Sequence, residues 1–118
     1  MARILYVEDN LDTANAVKLI LKSAGHEIEL ASNGKEGIEK AKSGFDLILL
    51  DIMLPDMSGW DIFGKLRNKG YSKKYAFLSA IPVSSERLAE LKRAGVSGYI
   101  TKPFTKEGLI EDVEKILK

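Results

Sequence analysis

One stretch of the chain constrains its fold more than any other. It is the apolar run Leu47–Leu50, which leads into Asp51 and then ends in a loop that contains Pro55. An apolar run without polar alternation is typical of a strand buried on both faces, as in a parallel sheet covered by helices. Asp51 is then expected at the carboxyl end of an interior strand, where open α/β sheets place their ligands. An aspartate at such a point can equally cap a loop or a helix, so Asp51 alone leaves both interpretations open.

Strand-like and helix-like segments alternate along the chain. Strict alternation with short links predicts an α/β domain, a doubly wound parallel sheet of five strands with five helices on its two faces. Glycines such as Gly25 and Gly95 end helical segments, and capping residues begin them. The predicted strands are Arg3–Val7, Glu27–Ala31, the run ending at Leu50, Tyr75–Leu78 and Gly98–Ile100, and the predicted helices are Leu11–Ala24, Lys35–Lys42, one from a Ser58 cap to about Asn68, Glu86–Ala94 and a last one capped by Thr105.

Composition narrows the class of protein. A chain of 118 residues with 45% hydrophobic and 30% charged residues fits one globular domain, residues 1–118. The net charge of +1 gives no reason to expect nucleic acid as a direct partner. The sequence has no cysteine, no signal-peptide pattern and no apolar segment near the ~20 residues of a membrane span. We therefore expect a cytoplasmic protein that does not contact membranes.

The ends of four predicted strands carry charged and hydroxyl side chains. Glu8 and Asp9 follow the first strand, Asp51 the third, Ser79 the fourth and Lys102 the fifth. The carboxyl ends of parallel strands lie along one edge of the sheet, so these side chains should converge. Three clustered carboxylates repel one another unless a cation joins them, and a hard dication with oxygen ligands, such as Mg²⁺, meets that need.

A metal ion, an ammonium group and a hydroxyl around one free carboxylate are the parts that receive a phosphoryl group. Each residue also has an ordinary explanation. The pair Glu8-Asp9 can be a helix-capping cluster, Ser79 a strand-end hydroxyl and Lys102 a solvated lysine. These explanations are reasonable one by one, but they leave the common position of all the residues at one edge to coincidence.

The ordered set resembles the receiver domain of two-component response regulators, in particular the stand-alone chemotaxis type, over essentially the whole chain. The matching marks are Glu8-Asp9, Asp51 after an apolar run, Pro55 and Gly59 downstream, Ser79-Ala80, and Lys102-Pro103. Each of these marks alone is weak evidence for the family, but the ordered set is specific to it. The resemblance implies a flavodoxin-like sheet with strand order 2-1-3-4-5 and a switch in a phosphorelay.

The resemblance also implies metal-binding and acceptor roles. Asp51 would be the phosphoacceptor. The side chains of Glu8, Asp9 and Asp51, with the backbone carbonyl of Met53, would hold Mg²⁺ or Mn²⁺. The protein would catalyse only its own phosphorylation and dephosphorylation.

The other implied roles concern the phosphoryl group and the response to it. Ser79 and Lys102 would bind the phosphoryl oxygens. Tyr99 matches the aromatic switch position, with Ser79 as the hydroxyl that moves inward on phosphorylation. The Lys102–Pro103 peptide bond is expected to be cis, a form tolerated mainly before proline.

The partners implied by the resemblance are proteins. A sensor histidine kinase or a histidine phosphotransfer protein would supply the phosphoryl group, and Asn15 and Lys18 of the first helix are candidate contacts. An effector or a second copy of the chain would bind the surface of the fourth helix, fifth strand and fifth helix. Met53 and Ile81, both apolar, occupy positions near the phosphoryl group, which suggests slow self-dephosphorylation.

Three rival functions fit parts of the sequence. A phosphatase of the haloacid dehalogenase type also uses a strand-end aspartate, but that class has Asp-x-Asp and this chain has Met53 at the second position. A flavodoxin-like cofactor domain would need a phosphate-binding first loop, where this chain has Glu8-Asp9. A receiver-like adaptor that never takes phosphate is disfavoured by the complete acidic and lysine set.

Other conspicuous residues have structural interpretations. Leu11, Ala14 and Val17 are candidates for the core at helical spacing. Trp60 is expected to pack at the start of the third helix. His26, the one histidine of the chain, is predicted in a surface-like turn without a metal or catalytic role.

Overall fold

The structure is a computed structural model that describes all residues, 1–118. Strands and helices alternate strictly, as predicted. β4 begins at Ser72 rather than at Tyr75, because its backbone already pairs with β3 from Phe45 onward although the side chains there are polar. No helix has the length and apolar character needed to cross a bilayer. The elements are β1 (Arg3–Val7), α1 (Leu11–Ser23), β2 (Glu27–Ala31), α2 (Gly34–Ala41), β3 (Phe45–Leu50), α3 (Gly59–Leu66), β4 (Ser72–Ser79), α4 (Ser85–Arg93), β5 (Gly98–Thr101) and α5 (Lys106–Leu117).

The five strands form one sheet in which every pairing is parallel. The order is β2-β1-β3-β4-β5, which confirms the predicted doubly wound, flavodoxin-like arrangement. Val7 pairs with Ala31 on one side and with Leu50 on the other, and Leu50 pairs with Phe77. The residues that follow Val7 and Leu50 are therefore neighbours at one edge of the sheet.

The sheet separates two apolar layers. Leu5 and Val7 of β1 contribute to the layer that α2, α3 and α4 cover. Ile4 and Tyr6, on the opposite face of the same strand, contribute to the layer that α1 and α5 cover. Because both faces are covered, every residue of Leu47–Leu50 is fully buried, at 0% exposure. The apolar run is thus the interior strand that the sequence predicted.

Side-chain caps set where the helices begin. In each case an oxygen accepts the backbone N–H three residues later, a contact that stabilises a helix by about 1 kcal/mol. Ser58 and Thr105 cap their helices as predicted. Asn33 caps α2 and places its first residue at Gly34, one residue before the predicted start at Lys35. The remaining caps are Asn10 and Ser84.

Two predictions about burial are wrong. Leu11 is 70% exposed, because it is the first residue of α1 and lies at the rim of the sheet beyond the end of β1. His26 is 7% exposed rather than in a surface turn. The backbone N–H of Ala2 donates to its Nδ1 at 3.0 Å, and its Nε2 lies 2.6 Å from the Glu114 carboxylate on α5. Since Nδ1 accepts a hydrogen bond, the ring proton is on Nε2 and is donated to Glu114.

Position 59, at the start of α3, has no space for a side chain and therefore requires glycine. A Cβ atom at this position would lie 2.1 Å from the carbonyl oxygen of Asp51 and 3.0 Å from the Cα of Ile52. The Gly59 N–H also donates to the Ile52 carbonyl at 2.8 Å. The glycine therefore lets α3 begin directly against the backbone that carries Asp51. In the same helix, the Cβ position of Gly64 has no atom within 4 Å.

Gly59→Ala and Gly64→Ala form a matched pair for testing this contact. Gly59→Ala should lower the free energy of unfolding by about 1–3 kcal/mol, because the added methyl group overlaps the Asp51 backbone. Gly64→Ala should raise it by about 0.5–1 kcal/mol, because alanine is the better helix former at an open position. Urea denaturation followed by circular dichroism measures both. Equal stability of the two variants would contradict the assigned contact.

Candidate functional site

Three carboxylates meet at the carboxyl edge of the sheet. Glu8 and Asp9 follow β1, Asp51 follows β3, and these two strands are neighbours. One carboxylate oxygen from each residue lies within 4.8 Å of the others. Glu8 and Asp51 are buried, at 3% and 8% exposure, while Asp9 is open to solvent. The structure therefore brings together the acidic residues that the sequence singled out.

The carboxylate of Glu8 has three hydrogen-bond partners. The hydroxyl of Tyr6 donates to Oε1 at 3.0 Å, the Lys102 ammonium donates to the same oxygen, and the N–H of Asn10 donates to Oε2 at 3.2 Å. Burial raises the pKa of the Tyr6 phenol well above its usual range, and the negative charge of Glu8 adds to the increase. Tyr6 therefore stays protonated and remains a donor to Glu8.

Tyr6 was not among the predicted site residues. The sequence did contain an indication that Tyr6 lies near Glu8. Residues i and i+2 of a strand lie on the same face, and Tyr6 precedes Glu8 by two residues. Its side chain is fully buried, so its hydroxyl requires a partner. Nothing in the sequence shows that this partner is Glu8 rather than a group on another element.

Lys102 is the cation of the cluster. Its backbone N–H donates to the Ser79 carbonyl at 2.9 Å, which holds the end of β5 against the end of β4. Its Nζ lies 3.4 Å from Asp51 Oδ2 and also contacts Glu8. The Lys102–Pro103 peptide bond is cis. One ammonium among three carboxylates leaves the site with excess negative charge, which favours binding of a further cation.

The two carboxylate oxygens of Asp51 have different surroundings. Oδ1 accepts the N–H of Ile52 at 2.7 Å. Oδ2 accepts no backbone N–H and faces the Lys102 ammonium. Asp51 therefore has one oxygen held by the chain and one oxygen available to an incoming group.

The loop after Asp51 contains a backbone oxygen without a hydrogen-bond partner, the carbonyl of Met53. Met53 forms an isolated antiparallel bridge with Ser58, closed by the hydrogen bond from Gly59 N–H to the Ile52 carbonyl. The Met53 carbonyl accepts no hydrogen bond within the chain, and its side chain is 71% exposed. The three clustered carboxylates offer only oxygen ligands, a set that fits Mg²⁺ or Mn²⁺.

The side chains of Ser79 and Tyr99 both form hydrogen bonds to the backbone of Ile81. Ser79 is 1% exposed, and its hydroxyl oxygen accepts the N–H of Ile81 at 3.2 Å. The Tyr99 hydroxyl donates to the Ile81 carbonyl. Burial raises the pKa of the half-buried Tyr99 phenol, so this hydroxyl also stays a donor. Ile81 lies in the loop between β4 and α4 and thus connects both predicted switch residues to that loop.

A shallow groove borders the cluster on the side of α1. It lies between the first turns of α1 and the residues that follow β4 and β5, and Lys102 is part of its wall. The other lining residues are Asp12, Thr13, Ala16, Ala80, Pro103 and Phe104. The groove thus meets the cluster at Lys102.

The chain matches a known family over nearly its whole length. The model of the response regulator receiver domain matches residues 4–114. Similar solved structures include the chemotaxis response regulator CheY4 of Vibrio cholerae, with a TM-score of 0.88, 30% identity and 98% of each chain covered. The response regulator TrrA from Thermotoga maritima, solved in complex with Mg²⁺-BeF, has a TM-score of 0.82 and 35% identity, with 98% of this chain and 99% of that one covered.

The similar sequences are mostly twice as long. The transcriptional regulatory protein CusR of Escherichia coli strain K12 is 37% identical over 117 residues, which are 98% of this chain and 51% of that protein. The cell cycle transcriptional regulator CtrA of Caulobacter vibrioides is 37% identical over 119 residues, with 98% of this chain and 50% of that protein covered. The chain thus spans about half the length of the curated relatives it matches.

Tyr6→Phe tests the buried hydrogen bond to Glu8. Since the folded state keeps the Tyr6 proton and an unfolded tyrosine loses it near pH 10, the folded state binds more protons above that pH. The contribution of Tyr6 is therefore fully present below about pH 10, and above it the free energy of unfolding falls by about 1.4 kcal/mol per pH unit. Urea denaturation between about pH 9 and 11 should show a shallower fall for the variant than for the wild type. Parallel curves would contradict the assignment.

Proposed function

The chain belongs to the response regulator receiver domain family, and from this membership and the geometry of the sheet edge we propose that it is a phosphorelay switch. Asp51 accepts a phosphoryl group from a phosphohistidine, and the change at Asp51 reaches the surface formed by α4, β5 and α5. The cytoplasm is the proposed setting. The observation that carries the proposal is the convergence of Glu8, Asp9, Asp51 and Lys102 at one edge of the sheet.

Asp51 is suited to be the nucleophile of the transfer. Its Oδ2 forms a bond to phosphorus while the phosphorus–nitrogen bond of the donor breaks and the imidazole nitrogen keeps the electron pair. Oδ2 is the oxygen without a backbone donor, and Lys102 at 3.4 Å is placed to contact a phosphoryl oxygen. Ser79 supplies a hydroxyl to a second phosphoryl oxygen. This positioning and charge neutralisation make up most of what catalyses phosphoryl transfer.

The metal ion of the proposed site is Mg²⁺ or Mn²⁺. When bound, such an ion neutralises charge on the phosphoryl oxygens. Glu8, Asp9 and Asp51 would hold it through their side chains and Met53 through its carbonyl. Lys102 would then exchange its contact with Glu8 for one with the phosphoryl group.

Ser79, Ile81 and Tyr99 form the proposed link to the output. The Ser79 oxygen accepts the Ile81 N–H, and the Tyr99 hydroxyl donates to the Ile81 carbonyl. When Ser79 turns toward a phosphoryl oxygen, the Ile81 N–H loses its partner and the loop before α4 is released. The Tyr99 ring then has to move with the carbonyl that it holds. The phosphoryl group biases this two-state arrangement by its charge and its acceptor oxygens.

α4 is the element that changes most readily. It buries one residue, Leu91, whereas α3 buries four. A helix with few buried apolar contacts moves or opens locally at low free-energy cost. We assign the output to the surface of α4, β5 and α5, which binds an effector protein or a second copy of the chain.

The phosphoryl donor is a sensor histidine kinase or a histidine phosphotransfer protein. It approaches over the groove beside Lys102, where the first turns of α1 face the site. Asn15 is exposed and Lys18 half-buried on that helix, so both remain candidates for contact with the donor.

Acetyl phosphate and Mg²⁺ test the acceptor role directly. Intact-mass measurement should show one added phosphoryl group on the wild type only when Mg²⁺ is present. Asp51→Asn should abolish the gain, because an amide is a poor nucleophile. Asp46→Asn is the matched control, because Asp46 lies at the opposite end of β3, where its carboxylate accepts the Arg3 N–H at 2.8 Å.

Other outcomes would favour a rival function. A wild type that takes no phosphoryl group would indicate an adaptor that works without phosphate. A gain that persists in Asp51→Asn would place the acceptor elsewhere. Steady release of inorganic phosphate from a simple phosphomonoester, with no retained phosphoryl group, would indicate a phosphatase.

The lifetime of the phosphoryl group tests the roles of Met53 and Ile81. Neither apolar side chain positions an attacking water, so the phosphorylated wild type should lose its phosphoryl group slowly. Met53→Asn should shorten the lifetime several-fold, and Met53→Leu, which stays apolar, should not. Decay is followed by intact mass after acetyl phosphate is removed by desalting, with Mg²⁺ kept in the buffer. Fast decay in the wild type would contradict the assignment.

A further inference from the structure

The loop that carries Met53 is attached to α2 by one carboxylate. Asp56 Oδ1 accepts the N–H of Gly34 at 2.8 Å, and its Oδ2 accepts the N–H of Lys35 at 2.9 Å. These are the first two N–H groups of α2, which have no partner within the helix. The same hydrogen bonds lower the pKa of Asp56. The carboxylate therefore stays ionised, and each of its oxygens has its own donor.

Asp56 is not the local cap of α2. That position belongs to Asn33, whose side chain accepts the Glu36 N–H at 2.8 Å. Asp56 adds a tertiary contact from more than twenty residues away in the chain. The loop also lies directly on the helix, since a Cβ atom on Gly34 would come within 2.3 Å of the Met57 side chain.

The two ends of this loop are fixed as well. Met53 and Ser58 form the antiparallel bridge, and Gly59 packs against the Asp51 backbone. The segment from Met53 to Ser58 is therefore a closed hairpin, and Asp56 fastens its tip to α2.

We propose that Asp56 is a positioning residue of the metal site. By fixing the tip of the hairpin on α2, it would hold in place the Met53 carbonyl, the proposed ligand that joins Glu8, Asp9 and Asp51. This inference rests on the proposed function, because it concerns the same metal ion. Groups that orient metal ligands typically contribute about 10- to 100-fold to metal affinity.

Calorimetric titration of the unphosphorylated protein with Mg²⁺ measures the effect. Asp56→Asn keeps one acceptor oxygen and should raise the dissociation constant by about tenfold, and Asp56→Ala should raise it further. The matched control is Asp61→Asn, which removes one negative charge from an exposed position in the first turn of α3. The control accounts for the loss of charge near the site and should shift the constant much less.

Amide hydrogen exchange of the metal-free protein supplies the second readout. The Gly34 and Lys35 amides should exchange faster in both Asp56 variants and unchanged in Asp61→Asn. If the amides exchange faster in the Asp56 variants but these variants bind Mg²⁺ as tightly as Asp61→Asn does, the proposal is overturned. Asp56 would then stabilise the start of α2 without affecting the metal site. A wild type that binds no Mg²⁺ would also overturn it.

The two proposals fail in different ways. If the wild type binds Mg²⁺ and Asp56→Asn weakens binding, but acetyl phosphate adds no phosphoryl group, the positioning role stands and the phosphorelay function fails. If labelling succeeds and Asp56→Asn binds Mg²⁺ as the control does, the phosphorelay function stands and the positioning role fails.

Discussion

Repulsion among carboxylates at one edge of the sheet governs the structure around them. Glu8 and Asp51 are buried, and a buried carboxylate is costly unless it is paired and hydrogen-bonded. The Tyr6 hydroxyl and two backbone N–H groups supply hydrogen bonds, and the Lys102 ammonium supplies the charge. Lys102 reaches the carboxylates because the end of β5 is held against the end of β4. The packing of the edge strand β5 against β4 therefore determines whether the buried carboxylates have a positive charge beside them.

The loops on either side of the cluster are held by different kinds of hydrogen bond. The loop after β3 is fixed by backbone N–H groups of α2. These groups cannot change their direction while the helix is intact. The loop after β4 is held by the hydroxyls of Ser79 and Tyr99, which rotate and can exchange partners. A fixed loop beside a releasable loop is suited to a switch, because the response is then confined to one side of the site.

Much of this arrangement could be predicted from local sequence. The run Leu47–Leu50 identifies an interior strand because covering both faces requires continuous apolar character, and caps such as Ser58 act within one helical turn. The partners of His26 and Asp56 could not be predicted. Each forms a hydrogen bond to a group that the fold alone brings near, and the pairing of His26 with Glu114 spans 88 residues. Leu11 was misplaced because helical spacing does not reveal where the sheet ends.

The sheet places α1 and α4 in different apolar layers. α1 shares its layer with α5, and α4 belongs to the layer on the opposite face. Close-packed side chains transmit strain within a layer, whereas strain that crosses the sheet must displace strands hydrogen-bonded on both sides. In the proposed switch, α1 is therefore coupled to α4 less directly than to α5, which shares its layer. Under the proposed function, substitutions on the outer face of α1 would change the contacts with the donor without repacking the layer that holds α4.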